Sequence, residues 1–318
     1  VQVYIGAHRA MGNPNRGLMV LGVSMVSNTF LNWVFIFGNL GAPRLGVEGA
    51  ALATLLARVL SCAISIVWTA RDRRFPLRFT LLFRPGREMV RRFIHFATPV
   101  MCNETFWGRG SSLFPTIMGH MDGSEEILAA YAIAGNITNL CTVGVFAIAG
   151  TAAILVGQEI GSGNADKVYS LGALLNVLAV LFGLAAGALF LVLLHMFIIP
   201  VLYPLFKLTP AAAEICTMML TMVFAMMPLR SFACTNIVGV LRGGGDVRAA
   251  TIIDVTPLWL VALPLAVLAG LVLKLGIFWV QLATMSENMV KSVFGLRRFR
   301  GGAWINDVTI PAQPGTEG

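Results

Sequence analysis

The sequence predicts an all-α integral membrane protein that crosses the lipid bilayer about eight times. Hydrophobic residues make up 57% of the 318-residue chain, whereas charged residues make up 12%, about half the share in soluble domains. Apolar runs recur along the chain, and most are near or above the ~20 residues that a helix needs to cross the hydrocarbon core. The runs cover about 17–38, 47–70, 93–119, 127–157, 170–203, 211–241, 249–273 and 277–294. The last run is the weakest, because Glu287 and Lys291 shorten it.

Basic residues are concentrated in alternate connections between these runs, which indicates the topology. The arginine-rich connection from Arg71 to Arg92, the chain start, residues 242–248 and the segment from Lys291 onward fall on one side. The opposite side holds only Arg44, Lys207 and Lys274. By the positive-inside rule the arginine-rich side is cytoplasmic, and it contains both chain ends. We therefore expect a multi-pass protein of the plasma or inner membrane with a cytoplasmic C-terminus.

Charge and cysteine patterns exclude several classes of protein. The net charge is +8, but the arginines lack the interleaved stacking aromatics of a nucleic-acid surface, so membrane lipids are the expected partners. The five cysteines lie within apolar runs and form neither a CxxC motif nor a Cys/His cluster, which argues against metal sites and disulfides. No HExxH, GxSxG or paired aspartates occur, so we expect no enzyme, no catalytic residue and no cofactor. No feature indicates an obligate protein partner.

Two polar connections, one near each end of the chain, share a pattern. They read "YIGAHRAMGNPNRG" and "IVGVLRGGGDVRAA". Six apolar runs lie between them, so a repeated unit of six helices fits the spacing better than a short solenoid repeat. The second unit is then complete, and the first contributes only its last two helices. The aligned positions are Gly6 with Gly239, Arg9 with Arg242, Gly12 with Gly245, and Asn13 with Asp246.

The second connection places two arginines, three glycines and an aspartate in a very apolar chain. We expect the glycines up to Gly245 to permit a tight turn between two antiparallel helices. Arg242 and Arg248 would hold this turn at the cytoplasmic headgroups, and Asp246 would cap the next helix. The alternative is a salt bridge that closes a gate, as in alternating-access transporters.

Several segments together resemble the MATE (multidrug and toxic compound extrusion) family of transporters. They are "HRAMGNPNRG" and "LRGGGDVRAATIID" at the two turns, "GVEGAALATLLARV", "FATPVMCNETFWGRGSSLF", "AILVGQEIGSGNADKVYS" and, near the end, "GLRRFRGGAWINDVT". The resemblance rests on the order, spacing and topology of these segments, because no single motif decides it. It implies a fold of twelve helices in two six-helix lobes, of which this chain has the last eight.

Under this resemblance the chain divides into three parts. Residues 1–92 hold the last two helices of the N-terminal lobe and a basic cytoplasmic linker. Residues 93–303 form the complete C-terminal lobe, and residues 304–318 form a cytoplasmic tail. The first four helices of the family have no counterpart, so we expect an N-terminally truncated family member.

Two charged residues fall at a similar depth in the middle of the predicted bilayer. Glu104 lies twelve residues past Arg92, and Arg230 lies twelve residues before Arg242. At 1.5 Å per residue, both are roughly 18 Å from the cytoplasmic basic belt. A charge at this depth is costly and normally has a partner. We expect Glu104 and Arg230 to be charge partners, either in an ion site or as a fixed pair that only specifies packing.

Polar residues are expected around Glu104. Trp107 and Ser111 share its helix face at i+3 and i+7. Asp254 lies closer to the cytoplasmic end and is a further charged candidate, either as a helix-start stabiliser or as a proton or cation relay. The amide side chains expected to add oxygen ligands are Asn103, Asn136 and Asn139. Carboxylate and amide oxygens suit a hard cation such as Na⁺.

The resemblance implies that Glu104 takes part in cation coupling. From their position beside Glu104 we expect Trp107 and Ser111 to line the substrate cavity, where Trp107 would stack on a cationic aromatic substrate. The expected function is a secondary active antiporter that exports cationic or amphipathic drugs or metabolites in exchange for Na⁺ or H⁺. One alternative is a lipid-linked saccharide flippase of the same superfamily, which needs a strongly cationic cavity. Another is a truncated fragment that does not transport.

Overall fold

The computed structural model describes residues 1–71, 86–163 and 165–306, which form helices and no β-strand. The all-α prediction is therefore confirmed for the described part of the chain. The chain separates into two compact units, Val1–Val90 and Arg91–Gly318. Most of the predicted basic linker (72–85) and of the predicted tail (307–318) lies outside the described residues.

The first unit contains α1 (Gln2–Ala10), α2 (Pro14–Phe37), a 3₁₀ turn (Asn39–Gly41) and α3 (Val47–Arg71). Pro14 is the first residue of α2, where its missing N–H breaks no intrahelical bond. The helix ends at Gly38, whose φ of 75° stops it in the left-handed conformation. Helices α2 and α3 approach closely at Gly49, where an added Cβ would lie 2.5 Å from the Phe35 carbonyl oxygen. Only a glycine fits this crossing.

The second unit contains the long helices that surround the candidate site. They are α4 (Arg87–Gly119), α5 (Ser124–Gly161), α6 (Ala165–Leu193), α7 (Pro210–Ala225), α8 (Met227–Cys234), α9 (Val247–Pro257) and α10 (Ile277–Arg300). Three of them continue in π-helical turns: α6 over Leu194–Leu202, α8 over Thr235–Leu241, and α9 over Leu258–Ala262 and Leu268–Val272. Short α-helical pieces follow at Tyr203–Leu205 and Leu263–Val267.

Eight long helical segments correspond to the eight predicted runs when α7 and α8 are taken as one. Five described helices are long and apolar enough to cross a membrane, and the α7–α8 pair, bent by 54°, makes a sixth. The five are α2, α3, α5, and α6 and α9 with their continuations. Helices α4 and α10 also have membrane length, but they carry the charged residues of the site described below. The observed helices thus support the multi-pass membrane protein that the sequence predicts.

The two aligned turns have the same backbone geometry. Gly12 and Gly245 have φ values of 74° and 89°, a region that glycine adopts without steric penalty. In each turn the glycine N–H donates to the carbonyl of the aligned arginine, Arg9 or Arg242, at 3.0 and 3.1 Å. The N–H of the next residue donates five residues back, at 2.9 and 3.1 Å. The repeated turn predicted from the sequence is therefore confirmed down to its hydrogen bonds.

The segment that follows α10 covers the second turn. Trp304 is fully buried against Gly244, where an added Cβ would lie 2.6 Å from the Trp304 carbonyl oxygen. The Asn306 N–H donates to the Gly244 carbonyl at 2.8 Å. Asp246 makes no side-chain cap bond to α9, so the predicted cap is wrong. Its Oδ2 instead accepts from Arg298 Nε at 2.6 Å, because α10 ends beside the turn.

Two clusters of buried apolar side chains form the core of the second unit. The larger one joins α4, α5, α7, α8 and the π-helical part of α9. The smaller one lies under the second turn and includes Val240, Leu241, Phe299 and Trp304. This smaller cluster fixes the arginine that begins the turn relative to α10.

Candidate ion and substrate site

A cavity of about 510 Å³ lies within the second unit. Its wall combines apolar side chains, such as Phe114, Met219 and Val223, with charged and amide groups. Helices α4, α5, α7, α8, α9 and α10 all contribute to it. The predicted site residues in the lining are Asn103, Glu104, Trp107, Ser111, Asn139, Arg230, Arg242 and Asp254.

Five charged side chains form a continuous chain of ion pairs in this cavity. Arg242 Nη1 lies 3.5 Å from Glu104 Oε1, and Arg242 Nη2 lies 3.3 Å from Asp254 Oδ2. Lys291 Nζ lies 2.6 Å from Asp254 Oδ1 and 2.5 Å from Glu287 Oε1. Every charge in the chain therefore has a partner of opposite sign, as charges taken out of water require.

Glu104 differs from the other four members of the chain in its exposure. Its side chain is 64% exposed, whereas those of Arg242, Asp254, Lys291 and Glu287 are 7–14% exposed. Glu104 also has the longest ion-pair contact in this chain, 3.5 Å, and among the described residues it pairs with Arg242 alone. Glu104 is therefore the carboxylate most open to exchange with a ligand or an ion.

Asn103 connects two of the carboxylates. Its Nδ2 donates to Asp254 Oδ2 at 2.9 Å and, more weakly, to Glu104 Oε1 at 3.5 Å. The residue is 2% exposed, and its Oδ1 is buried with no hydrogen-bond donor in the described part of the chain. An amide oxygen beside a carboxylate is a ligand that a hard cation accepts.

The structure pairs Glu104 with Arg242 and not with the predicted partner, Arg230. Arg230 is half-buried and lines the cavity, but no carboxylate of the described residues lies within 4.0 Å of its guanidinium. The predicted depths took Arg242 as a marker of the cytoplasmic surface, but its side chain is 13% exposed and lies in the cavity wall beside Glu104. The predicted pairing of Glu104 with Arg230 is therefore wrong.

Two basic side chains that the sequence assigned to the cytoplasmic surface lie in the cavity. The Arg242 side chain is 13% exposed and that of Lys291 is 7% exposed, so both are buried in the cavity wall, whereas Arg242 was predicted to lie at the headgroups. The alternative of an ion pair at the turn agrees with the contacts of Arg242. Glu287 and Lys291, four residues apart in an apolar run, could have indicated the missing partners, because i,i+4 pairs share a helix face.

The two asparagines predicted on α5 have different positions. Asn139 lines the cavity together with Tyr131, Gly135 and Thr138. Asn136 is exposed and is absent from the described lining, because it projects from a different angle of the helix. The structure therefore does not bring Asn136 to the site.

Trp107 and Ser111 line the cavity on the face of α4 that the spacing predicts. Trp107 is 39% exposed, so its ring is available to a ligand. Ser111 Oγ donates to the Gly108 carbonyl at 3.0 Å, which leaves its lone pairs free to accept. These two residues provide one aromatic surface and one polar contact near Glu104.

Comparison with known proteins identifies the family. A family model described as MatE matches residues 101–268, more than half of the chain. The chain belongs to the MATE family. The matched region contains the cavity from α4 to α9, so the MATE relationship covers most of the candidate site.

Relatives and solved structures agree with this MATE assignment. A probable multidrug resistance protein NorM of Thermotoga maritima is 25% identical over 302 residues, which are 95% of this chain and 63% of the relative. A MOP superfamily transporter of Pyrococcus furiosus, described as having a binding pocket of reverse polarity, has a TM-score of 0.81 at 23% identity, covering 94% of this chain and 65% of that one. The MATE transporter ClbM, solved in complex with Rb⁺, has a TM-score of 0.70 at 20% identity, covering 90% and 61%.

Members of the MATE family are transporters and not enzymes, which confirms the predicted class of protein. The chain spans about two thirds or less of the length of the relatives that it matches.

Proposed function

We propose that this protein is a secondary active antiporter of the cell membrane that exports amphipathic organic cations in exchange for Na⁺ or H⁺. Glu104 is the proposed ion-binding carboxylate. This role rests on the difference in exposure and in contact distance between Glu104 and the other two carboxylates of the ion-pair chain. Lys291 holds Asp254 and Glu287 at 2.6 and 2.5 Å, whereas Glu104 is exposed and loosely held.

The surroundings of Glu104 support a cation as its ligand. The Oδ1 of Asn103, which has no hydrogen-bond donor among the described residues, supplies a neutral oxygen next to Glu104 in the sequence, and Ser111 adds a hydroxyl oxygen about two helical turns further along the cavity wall. Hard cations prefer such oxygen ligands. If a closed state of the transporter buries Glu104, its carboxylate would bind a proton more readily than a metal cation. A monovalent cation, Rb⁺, was captured in the related transporter ClbM.

The surroundings also support an amphipathic substrate. Half of the lining residues are apolar, and three of them are methionines (Met219, Met226 and Met285), whose side chains adapt to ligands of different shape. Trp107 can stack on a cationic aromatic ring. A flippase for a strongly anionic lipid pyrophosphate is less well supported, because three carboxylates and three cations line the cavity in the described residues.

Ion and substrate binding can be measured on the chain itself, because the cavity lies within one unit. The probe is a rhodamine methyl ester, a permanently cationic amphipathic dye, whose binding in detergent micelles is followed by fluorescence anisotropy. Antiport at Glu104 requires that ion and dye oppose each other's binding, and the effect must be reciprocal. We expect saturating Na⁺, or a lower pH, to raise the dye Kd about tenfold or more, equal to 1.4 kcal/mol.

The variant Glu104→Gln keeps the shape of the side chain but removes the charge that a cation neutralises. We expect it to bind the dye with a Kd that no longer depends on Na⁺ or pH. Glu214→Gln, on an exposed part of α7 outside the cavity lining, is the matched control and should keep the wild-type dependence. If Glu104→Gln retains the wild-type dependence on both ions, Glu104 does not couple them to the substrate.

A further inference from the structure

Arg230 is a cation in the cavity for which the described part of the chain provides no partner. It lies on α8, lines the cavity, and is half-buried. Within that part its guanidinium has no carboxylate within 4.0 Å and no side-chain hydrogen bond. The lining residues nearest to it in sequence, Met226, Ala233 and Cys234, offer no anion.

The carboxylates of the same cavity are engaged elsewhere. Glu104 and Asp254 contact Arg242, and Asp254 and Glu287 contact Lys291. The field of Glu287 reaches Arg230, but Glu287 Oε1 lies 2.5 Å from Lys291 Nζ. Among the described lining residues, five charged side chains therefore form one linear series of ion pairs from Glu104 to Glu287, and Arg230 is not part of it.

An unpaired guanidinium in a membrane-spanning segment is costly, and such arginines normally face a partner. A guanidinium is also suited to a carboxylate, because its planar N–H groups can make two parallel hydrogen bonds to the two oxygens. A ligand that brings one carboxylate to Arg230 would complete the pairing. A pyrophosphate fits less well, because its several negative charges would be repelled by the three carboxylates in the same cavity wall.

We propose that Arg230 is a substrate-binding residue that recognises a carboxylate, so that the transported compounds are zwitterionic amphipaths. This inference rests on the proposed function, in which the cavity holds the substrate. The cationic end of the substrate lies toward Glu104 and its aromatic body lies against Trp107. The carboxylate binds Arg230, which leaves the ion-pair chain of Arg242, Asp254 and Lys291 intact.

Two dyes with the same ring system test this substrate class. One is a rhodamine with a free benzoate, which is a zwitterion at neutral pH, and the other is its methyl ester, which is only cationic. Both are titrated against the chain in detergent micelles, after size-exclusion chromatography has shown that each variant is monodisperse. We expect the wild-type chain to bind the acid at least about tenfold more tightly than the ester.

Arg230→Gln should weaken binding of the acid by about tenfold or more and change binding of the ester by less than about threefold. Arg230→Lys keeps the charge without the planar fork and should retain part of the preference. Arg109→Gln, an exposed arginine of α4 outside the cavity lining, is the matched control and should keep the full preference.

Equal affinity of the wild type for both dyes would overturn the inference, as would equal loss of both dyes in Arg230→Gln. The outcomes separate this inference from the proposed function. An ester that binds and responds to Na⁺ or pH, with no preference for the acid, refutes only the role of Arg230. An acid preference that depends on Arg230, without any response to Na⁺ or pH, supports the substrate class and contradicts ion coupling. Binding of neither dye contradicts both.

Discussion

Lys291 is the residue whose removal should destabilise the second unit most clearly. Its ammonium lies 2.6 Å from Asp254 and 2.5 Å from Glu287, and all three side chains are at most 14% exposed. The substitution Lys291→Met keeps the length and apolar stem of the side chain. It leaves two carboxylates that have lost their nearest cation.

The structure indicates which of the two carboxylates carries the cost. Asp254 keeps Arg242 at 3.3 Å and the Asn103 amide at 2.9 Å. Glu287 has no other ion pair or side-chain hydrogen bond among the described residues. The penalty therefore falls on Glu287, and removing one partner of a buried pair typically costs about 3–5 kcal/mol.

We therefore expect Lys291→Met to lower the free energy of unfolding at pH 7 by about 3–5 kcal/mol, because it removes the nearest cation of the buried Glu287. Reversible unfolding in mixed micelles, titrated with dodecyl sulfate at pH 7, measures this difference.

The control is the double variant Glu287→Gln with Lys291→Met, in which no carboxylate is left without a partner. It should recover most of the stability at pH 7. A single variant as stable as wild type at pH 7, or a double variant no more stable than the single one, would refute the assignment of the penalty to Glu287.

Two further predictions concern the second turn and the topology. Gly245→Ala should lower the free energy of unfolding by about 1–2 kcal/mol, because φ is 89° at this position. The control Gly161→Ala, at an open position in α5, should not lower it. Equal effects of the two substitutions in the same unfolding titration would contradict the turn geometry. Single cysteines replacing Glu125, in the first turn of α5, and Lys167, in the first turn of α6, should react with an impermeant maleimide from opposite sides of the membrane in a cysteine-free background. Labelling of both from one side would contradict the predicted orientation.

The helices were predictable because their signals are local. An apolar stretch of membrane length is helical wherever it lies, since every backbone polar group must find its hydrogen bond within the segment. The turn at Gly245 was predictable for the same reason, because glycine and its neighbours set the backbone angles there. The position of Glu104, Trp107 and Ser111 on one face of α4 followed from helical periodicity alone.

The partners of the charged residues were not predictable in this way. Asp246 was expected to cap α9, and it instead accepts a hydrogen bond from Arg298, 52 positions later. Asn136 was expected beside Asn139, and a rotation of less than half a helical turn places it outside the cavity lining. Each of these outcomes depends on how separate helices are placed against each other.

The sequence by itself therefore determined the all-α membrane fold, the repeated turn and the shared helix face of Glu104, Trp107 and Ser111. Only the tertiary structure decided that Arg242 and Lys291 enter the cavity and that Arg230 meets no carboxylate in the described part of the chain. The physical reason is that a buried charge pairs with the group of opposite sign that its helix brings within a few ångströms. Arg242 meets Glu104 because its side chain turns into the cavity and not toward the cytoplasmic surface, and no local pattern in the sequence records that direction.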